Sequence, residues 1–150
     1  MRYSRHLMIL IAFALTNNLW ASDDWTLQDT NGTTHTLSGY HGKWVLVNFW
    51  ATWCPNCMSE TQELNRLRQS HRSDLVIIGI AEGYRNPQEV TNFMKDKRID
   101  YPVVLGNEDT AGDFGGIIGV PTSFLFSPSG ELIDHVEGPV TQAEIESRLR

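Results

Sequence analysis

The two cysteines of this chain, Cys54 and Cys57, lie two residues apart in the stretch FWATWCPNCMSE, residues 49–60. Thiols at this spacing can open and close a disulfide with each other, which is the chemistry of thiol–disulfide exchange. A purely structural bridge gains little here, because disulfide stabilisation grows with loop length. A closed metal site needs about four ligands, and the sequence has no second cysteine pair. The spacing therefore favours a reversible redox couple.

The position of the pair predicts different roles for the two sulfurs. Cys54 falls at the start of a helical stretch, where Pro55 suits the first helical position. Free backbone N–H groups and the helix dipole favour a thiolate there, so we expect Cys54 to be the exposed nucleophile. Cys57 shares a helical stripe with Leu64 and Leu67. It is predicted to be the shielded, resolving thiol.

Glu60 follows Cys57 by three residues and so lies on the same flank of the helix. Burial there would raise the pKa of the carboxyl and let it exchange protons with the Cys57 sulfur. A solvated acid that favours the helix dipole fits the same position. The spacing alone leaves both interpretations open.

Two apolar runs, residues 43–50 and 74–81, are typical of strands buried on both faces. The helical stretch between them, residues 55–69, is long enough for the crossover that parallel neighbours require. These segments predict a β-α-β unit that presents the cysteines at the end of its first strand.

Residues 25–37 precede this unit and predict a hairpin with a type I′ turn at Asn31-Gly32. After the unit, residues 87–98 read as a helix and residues 101–106 as a further strand. This segment therefore adds a helix and a further strand to the predicted sheet.

The C-terminal third predicts an antiparallel hairpin and a last helix. Residues 122–127 and 131–138 flank a Pro-Ser-Gly turn, and Thr141 with Glu144 forms a capping box for a helix running to Leu149. A proline directly before a buried strand, as in the stretch GVPTSFLF, raises the suspicion of a cis peptide bond, although trans is commoner. The whole pattern predicts an α/β fold with a mixed sheet.

The first 21 residues resemble a signal peptide. Arg2 and Arg5 precede the apolar run of residues 7–15, and cleavage is expected after Ala21. The run is too short to span a bilayer, although an uncleaved anchor remains the alternative. Export would place the cysteines where disulfides persist.

Composition limits the remaining possibilities. Residues 22–150 have the length of one globular domain. We expect the protein to be a monomer that works without a bound cofactor. The net charge is −6, which disfavours nucleic acid as a partner.

Two stretches, VNFWATWCPNC and GVPTSFLF, resemble the thioredoxin fold over about residues 25–150. The signal pattern, the N-terminal hairpin, the helix–strand insertion and the Glu after the second cysteine resemble the TlpA/ResA/DsbE-like envelope oxidoreductases more narrowly. That resemblance implies a periplasmic or envelope-bound enzyme that reduces disulfides in partner proteins such as apocytochromes c. It also implies a membrane thiol–disulfide carrier as electron donor.

The resemblance assigns roles by position. Cys54 would be the attacking thiol, Cys57 the resolving thiol and Glu60 the active-site acid. Pro121 would be the cis-proline facing the sulfurs, and Val120 would offer backbone hydrogen bonds to a substrate strand.

Further positions would bind substrate or depart from the family. Trp53, Pro55 and Asn56 are expected to contact the partner, whereas Trp50 fits either that surface or the core. Asn56 stands where many members have proline, and this dipeptide tunes the reduction potential. A reductant is therefore the first expectation, and a periplasmic dithiol oxidant the alternative.

A copper-delivery protein on the same fold is the remaining alternative. It would bind copper through both cysteines and a distant histidine such as His135, but such proteins typically have three residues between their cysteines. His35, His41, His71 and His135 are otherwise expected to be ordinary polar residues at the surface.

Overall fold

The computed structural model describes residues 24–150, and the predicted signal segment, residues 1–21, lies outside that range. An N-terminal hairpin precedes a five-stranded mixed sheet of order β5-β4-β3-β6-β7. The strands are β1 (Thr26–Gln28), β2 (Thr34–Thr36), β3 (Trp44–Trp50), β4 (Leu75–Ala81), β5 (Val103–Leu105), β6 (Thr122–Phe126) and β7 (Leu132–Glu137). The helices are α1 (Pro55–Ser70), α2 (Pro87–Lys97), α3 (Glu108–Gly112) and α4 (Gln142–Glu146). The predicted thioredoxin fold is confirmed.

Strand β3 occupies the middle of the sheet, parallel to β4 and antiparallel to β6. All of its residues except Trp44 are buried, as expected for a strand covered on both faces. Its alternate side chains enter two core clusters, with Leu46 and Trp50 in one and Val47 and Phe49 in the other. Helix α1 begins just after β3 and connects it to β4. The cysteine pair therefore lies at the carboxyl end of β3.

The N-terminal hairpin forms as predicted, but the prediction of a type I′ turn is wrong. Such a turn requires a positive φ at both central residues, and within this turn only Gly32 has one, at 81°. The Asp29 side chain instead organises a longer loop, because its Oδ1 accepts hydrogen bonds from the N–H groups of Asn31 (2.8 Å) and Thr33 (3.0 Å).

His35 is buried, which corrects the expectation of a surface residue. It pairs with Leu27 across the hairpin, so the alternation of β2 turns its side chain inward. Its Nε2 lies 3.0 Å from Asp29 Oδ2, and its Nδ1 hydrogen-bonds the Tyr40 hydroxyl. Two polar partners therefore compensate for the burial of the imidazole.

The capping box of Thr141 and Glu144 is confirmed at the start of α4. The helix ends at Glu146, however, short of the predicted Leu149. Ser147 Oγ donates to the Glu144 carbonyl at 2.7 Å, an interaction that competes with the helical pattern. Across residues 24–150, no helix has the length and apolar character needed to cross a membrane.

Candidate active site

Cys54 and Cys57 form a disulfide at the first turn of α1. Cys54 is the N-cap residue of that helix and Pro55 follows at its first position, as the sequence predicts. The N–H of Cys57 points to Cys54 Sγ at 3.1 Å. In the reduced protein, the same N–H and the positive end of the helix dipole would stabilise a thiolate on Cys54.

Both sulfurs are largely covered in this oxidised state. Cys57 is 1% exposed, as predicted, but Cys54 is only 4% exposed, so the expected exposed cysteine is wrong for the disulfide form. The cause is a loop against the sulfur, since the Val120 carbonyl oxygen lies 3.8 Å from Cys54 Sγ. Trp53, the residue before Cys54, is 62% exposed.

Glu60 lies one helical turn beyond Cys57 and is 2% exposed. Its Oε1 accepts a hydrogen bond from the N–H of Val140 at 2.9 Å, and its Oε2 accepts one from Asn48 Nδ2 at 3.0 Å. Burial raises the pKa of the Glu60 carboxyl to about 7, although both hydrogen bonds oppose the rise. The structure therefore favours the buried position of Glu60 over the solvated one.

Asn48 connects this carboxyl to the neighbouring strand β6. It is buried in β3 opposite Ser123 of β6, and its Nδ2 also lies 3.0 Å from Ser123 Oγ. The contributions of Ser123 and Val140 were missed by sequence reasoning. Both meet Glu60 or Asn48 only through long-range folding, and no local pattern signals them.

The cis-proline that the resemblance implies is present, since the Val120–Pro121 peptide bond is cis. The loop is fixed on both sides, because the Pro121 carbonyl accepts from the N–H of Gly138 at 2.8 Å and the Thr122 hydroxyl donates to the Gly119 carbonyl at 2.7 Å. This loop brings Val120 against the disulfide.

The remaining predicted contact residues surround the pair. Pro55 and Asn56 are exposed at the tip of α1. Trp53 is held by its indole N–H, which donates to the Gly83 carbonyl at 3.2 Å. Trp50 is a core residue instead, buried and stacked on Phe93 with ring centroids 4.8 Å apart.

Histidine does not join the cysteines in the described part of the chain. His135 lies on β7, where its ring stacks on Phe124 at 4.4 Å. Within residues 24–150, no group of three or more His, Cys, Asp or Glu side chains is arranged to hold a metal ion.

A redox disulfide at the start of this helix, beside a cis-proline loop, is the arrangement by which thioredoxin-fold thiol–disulfide oxidoreductases work, and the chain is an enzyme of that class. Residues 21–135 match the model of the AhpC/TSA family. The chain belongs to this family.

Known proteins support the same class. The chain is 33% identical over 123 residues to the thiol-disulfide oxidoreductase ResA of Bacillus subtilis, a match covering 81% of this chain and 68% of ResA. Its structure resembles that of StoA from Bacillus subtilis, with a TM-score of 0.72, 25% identity and coverage of 84% of this chain and 96% of StoA. It also resembles the pneumococcal exposed lipoprotein thioredoxin of Streptococcus pneumoniae, with a TM-score of 0.71, 25% identity and coverage of 84% and 97%.

Proposed function

We propose that the protein is an exported reductase of disulfides in partner proteins, with Cys54 as the attacking thiol and Cys57 as the resolving thiol. The observation that carries this proposal is the buried carboxyl of Glu60 one turn beyond Cys57. Its pKa of about 7 suits proton exchange with a thiol near neutral pH.

In the proposed cycle, the Cys54 thiolate attacks one sulfur of a partner disulfide and the other partner sulfur leaves as a thiolate. Glu60 accepts the proton of Cys57, whose thiolate then attacks Cys54 Sγ in the mixed disulfide. The partner leaves with both sulfurs reduced, and Cys54–Cys57 closes as in this structure. Two electrons from a membrane thiol–disulfide carrier restore the dithiol.

Partner proteins would dock along Trp53, Pro55, Asn56, Val120 and Pro121, the residues around the covered sulfur. The loop at Val120 offers main-chain groups to an extended substrate segment. The signal-like N-terminal sequence supports a periplasmic or envelope location, as does the likeness to a lipoprotein described as exposed. Apocytochromes c are candidate substrates. The protein is proposed to act as a monomer and not to bind nucleic acid.

Single cysteine variants test the assignment of the two sulfurs. Cys57→Ala should trap mixed disulfides between Cys54 and partner proteins, because the resolving thiol is missing. Cys54→Ala should trap none and should lose disulfide reductase activity. Full activity in Cys54→Ala would show that the nucleophile is assigned to the wrong sulfur.

A dithiol oxidant is the second candidate, since Asn56 precedes Cys57 where many relatives of the reductive branch have proline. The equilibrium of the Cys54–Cys57 couple with glutathione separates the two directions. A potential near or below about −270 mV supports the reductant, and one near about −120 mV supports the oxidant.

A further inference from the structure

Glu82 is an acidic residue at the same edge of the sheet as the disulfide. It follows β4 directly, and its N–H donates to the Trp50 carbonyl at 2.8 Å, at the end of the strand that leads to Cys54. Its side chain is partly exposed, but Oε1 is buried and has no hydrogen-bond partner within residues 24–150. Burial raises the pKa of this carboxyl, and no charged group of the described chain contributes an opposing shift.

An unpaired carboxylate in such a position costs free energy, because its lost hydration is not replaced. Other acids near the site have partners: Glu89 accepts from Thr52 and Arg85, and Glu60 accepts from Asn48 and Val140. Glu82 is therefore an exception that the fold itself does not explain.

The sequence makes room for this carboxyl. A Cβ built on Gly106 would collide with Glu82 Oε1, so any larger residue at position 106 would displace the acid. Gly106 is tied to the same strand ends, since its N–H donates to the Ala81 carbonyl at 2.8 Å. The absence of a side chain at Gly106 thus leaves the space that the Glu82 carboxyl occupies.

Two aromatic residues are anchored to the backbone of residues that adjoin Glu82. The Trp53 indole N–H donates to the carbonyl of Gly83, the next residue, and the Tyr84 hydroxyl donates to the Gly106 carbonyl at 3.3 Å. A carboxylate with aromatic residues anchored nearby is a chemical setting that suits a cation, through a charge-assisted hydrogen bond and cation–π contact.

We propose that Glu82, together with Trp53 and Tyr84, binds a lysine or arginine side chain of the partner protein next to the disulfide under attack. This subsite rests on the proposed function, because its occupant belongs to the protein substrate. The net charge of −6 favours encounter with a basic partner, and the partly exposed Glu82 carboxyl then selects where on that partner the enzyme acts.

Three disulfide peptides test the subsite. They differ only in the residue next to one cysteine, which is lysine in the first, alanine in the second and glutamate in the third. We expect the wild-type kcat/KM to be about five-fold higher for the lysine peptide than for the alanine peptide, which is the upper end of the effect of a partly exposed ion pair. The glutamate peptide should have the lowest kcat/KM. Glu82→Gln should bring the lysine-to-alanine ratio close to one. High salt should lower the wild-type ratio.

Glu131→Gln is the matched control, because it removes the same charge at the turn between β6 and β7, the other end of β6 from Pro121. It should keep the wild-type ratio. Equal kcat/KM for the lysine and alanine peptides in the wild type, or an unchanged ratio in Glu82→Gln, would overturn the subsite.

Failure of the subsite is distinguishable from failure of the proposed reductase. If no peptide is reduced, the reductase proposal is wrong, and the same peptides are then offered as dithiols to the disulfide form of the protein. A lysine preference that disappears in Glu82→Gln supports the subsite in that direction too. The absence of such a preference rejects it.

Discussion

Glu60 Oε1 accepts a 2.9 Å hydrogen bond from the backbone N–H of Val140, 80 positions further along the chain. This contact joins the helix that carries the redox pair to the segment just before α4. With Asn48 on its other oxygen, the carboxyl is fixed in a buried position one turn from Cys57. The protonation state of Glu60 should therefore affect both catalysis and stability.

The Glu60→Gln variant should lose a pH-dependent step. In the wild type, ionised Glu60 accepts the Cys57 proton, so release of the mixed disulfide should accelerate as the pH rises through about 7. The variant cannot accept that proton, and we expect this step to slow on the order of 10²-fold. Stopped-flow tryptophan fluorescence in single turnovers measures the step.

Glu108→Gln is a suitable control for this measurement, because it removes an exposed acid at the start of α3. Its pH profile should match the wild type. An inflection near the same pH that persists in Glu60→Gln would assign the titration to another group.

The same residue should make stability depend on pH. Burial raises the pKa of Glu60 from 4.5 to about 7, so folding favours its protonated form. The stabilisation is complete below the unfolded value and is lost as the pH rises through the folded one. Relative to Glu60→Gln, the free energy of unfolding of the wild type should fall by about 3 kcal/mol across this interval.

Urea denaturation of both oxidised proteins at a series of pH values measures this difference, and titrations shared by the two proteins cancel. Parallel stability profiles for the wild type and Glu60→Gln would mean that Glu60 has an ordinary pKa in the folded protein.

The parts of the fold that depend on local pattern could be predicted from the sequence. The apolar runs of β3 and β4, the helix start at Pro55 and the capping box at Thr141 each follow from neighbouring residues alone. The cysteine spacing likewise fixed the chemistry, because two residues between thiols on a first helical turn allow few other uses.

What could not be predicted depends on contacts between distant segments or on competing side chains. The Glu60 environment needs Asn48 and Val140, which only the folded chain brings together. The Asn31-Gly32 pair is typical of a two-residue turn, but the Asp29 carboxylate accepts hydrogen bonds from the N–H groups of Asn31 and Thr33, and the loop is longer. The low exposure of Cys54 depends on the Val120 loop, which comes from another part of the chain.

Substitution of Gly79 by alanine should destabilise the protein. A Cβ at this position in β4 would lie 2.8 Å from Trp50 Nε1 and 3.1 Å from Tyr101 Cε2, inside the core. Both rings are buried, so they have little room to move, and we expect a loss of about 2 kcal/mol in the free energy of unfolding.

Gly112→Ala is the control for this change, because a Cβ at Gly112 meets nothing within 4 Å. It lies at the end of α3 and should leave stability unchanged or raise it by up to about 1 kcal/mol. Thermal and urea unfolding of the two variants measure the contrast. Equal effects of the two substitutions would show that the space around Gly79 is not limiting.

His35→Ala should destabilise the N-terminal hairpin. Burial opposes ionisation of Asp29, but hydrogen bonds from His35 and from the N–H groups of Thr33 and Asn31 lower its pKa overall. Removing the imidazole deprives this buried carboxylate and the Tyr40 hydroxyl of a partner, at a cost of about 2 kcal/mol. Urea unfolding at neutral pH measures the loss.

The acid side of the stability profile separates this contact from simple loss of packing. Because the folded pKa of Asp29 is lowered, its contribution is present above the unfolded value and disappears as the pH falls through the folded one. The gap between wild type and His35→Ala should therefore narrow in acid, whereas a packing defect would keep it constant. His41→Ala, at an exposed histidine, should show a smaller gap than His35→Ala at neutral pH.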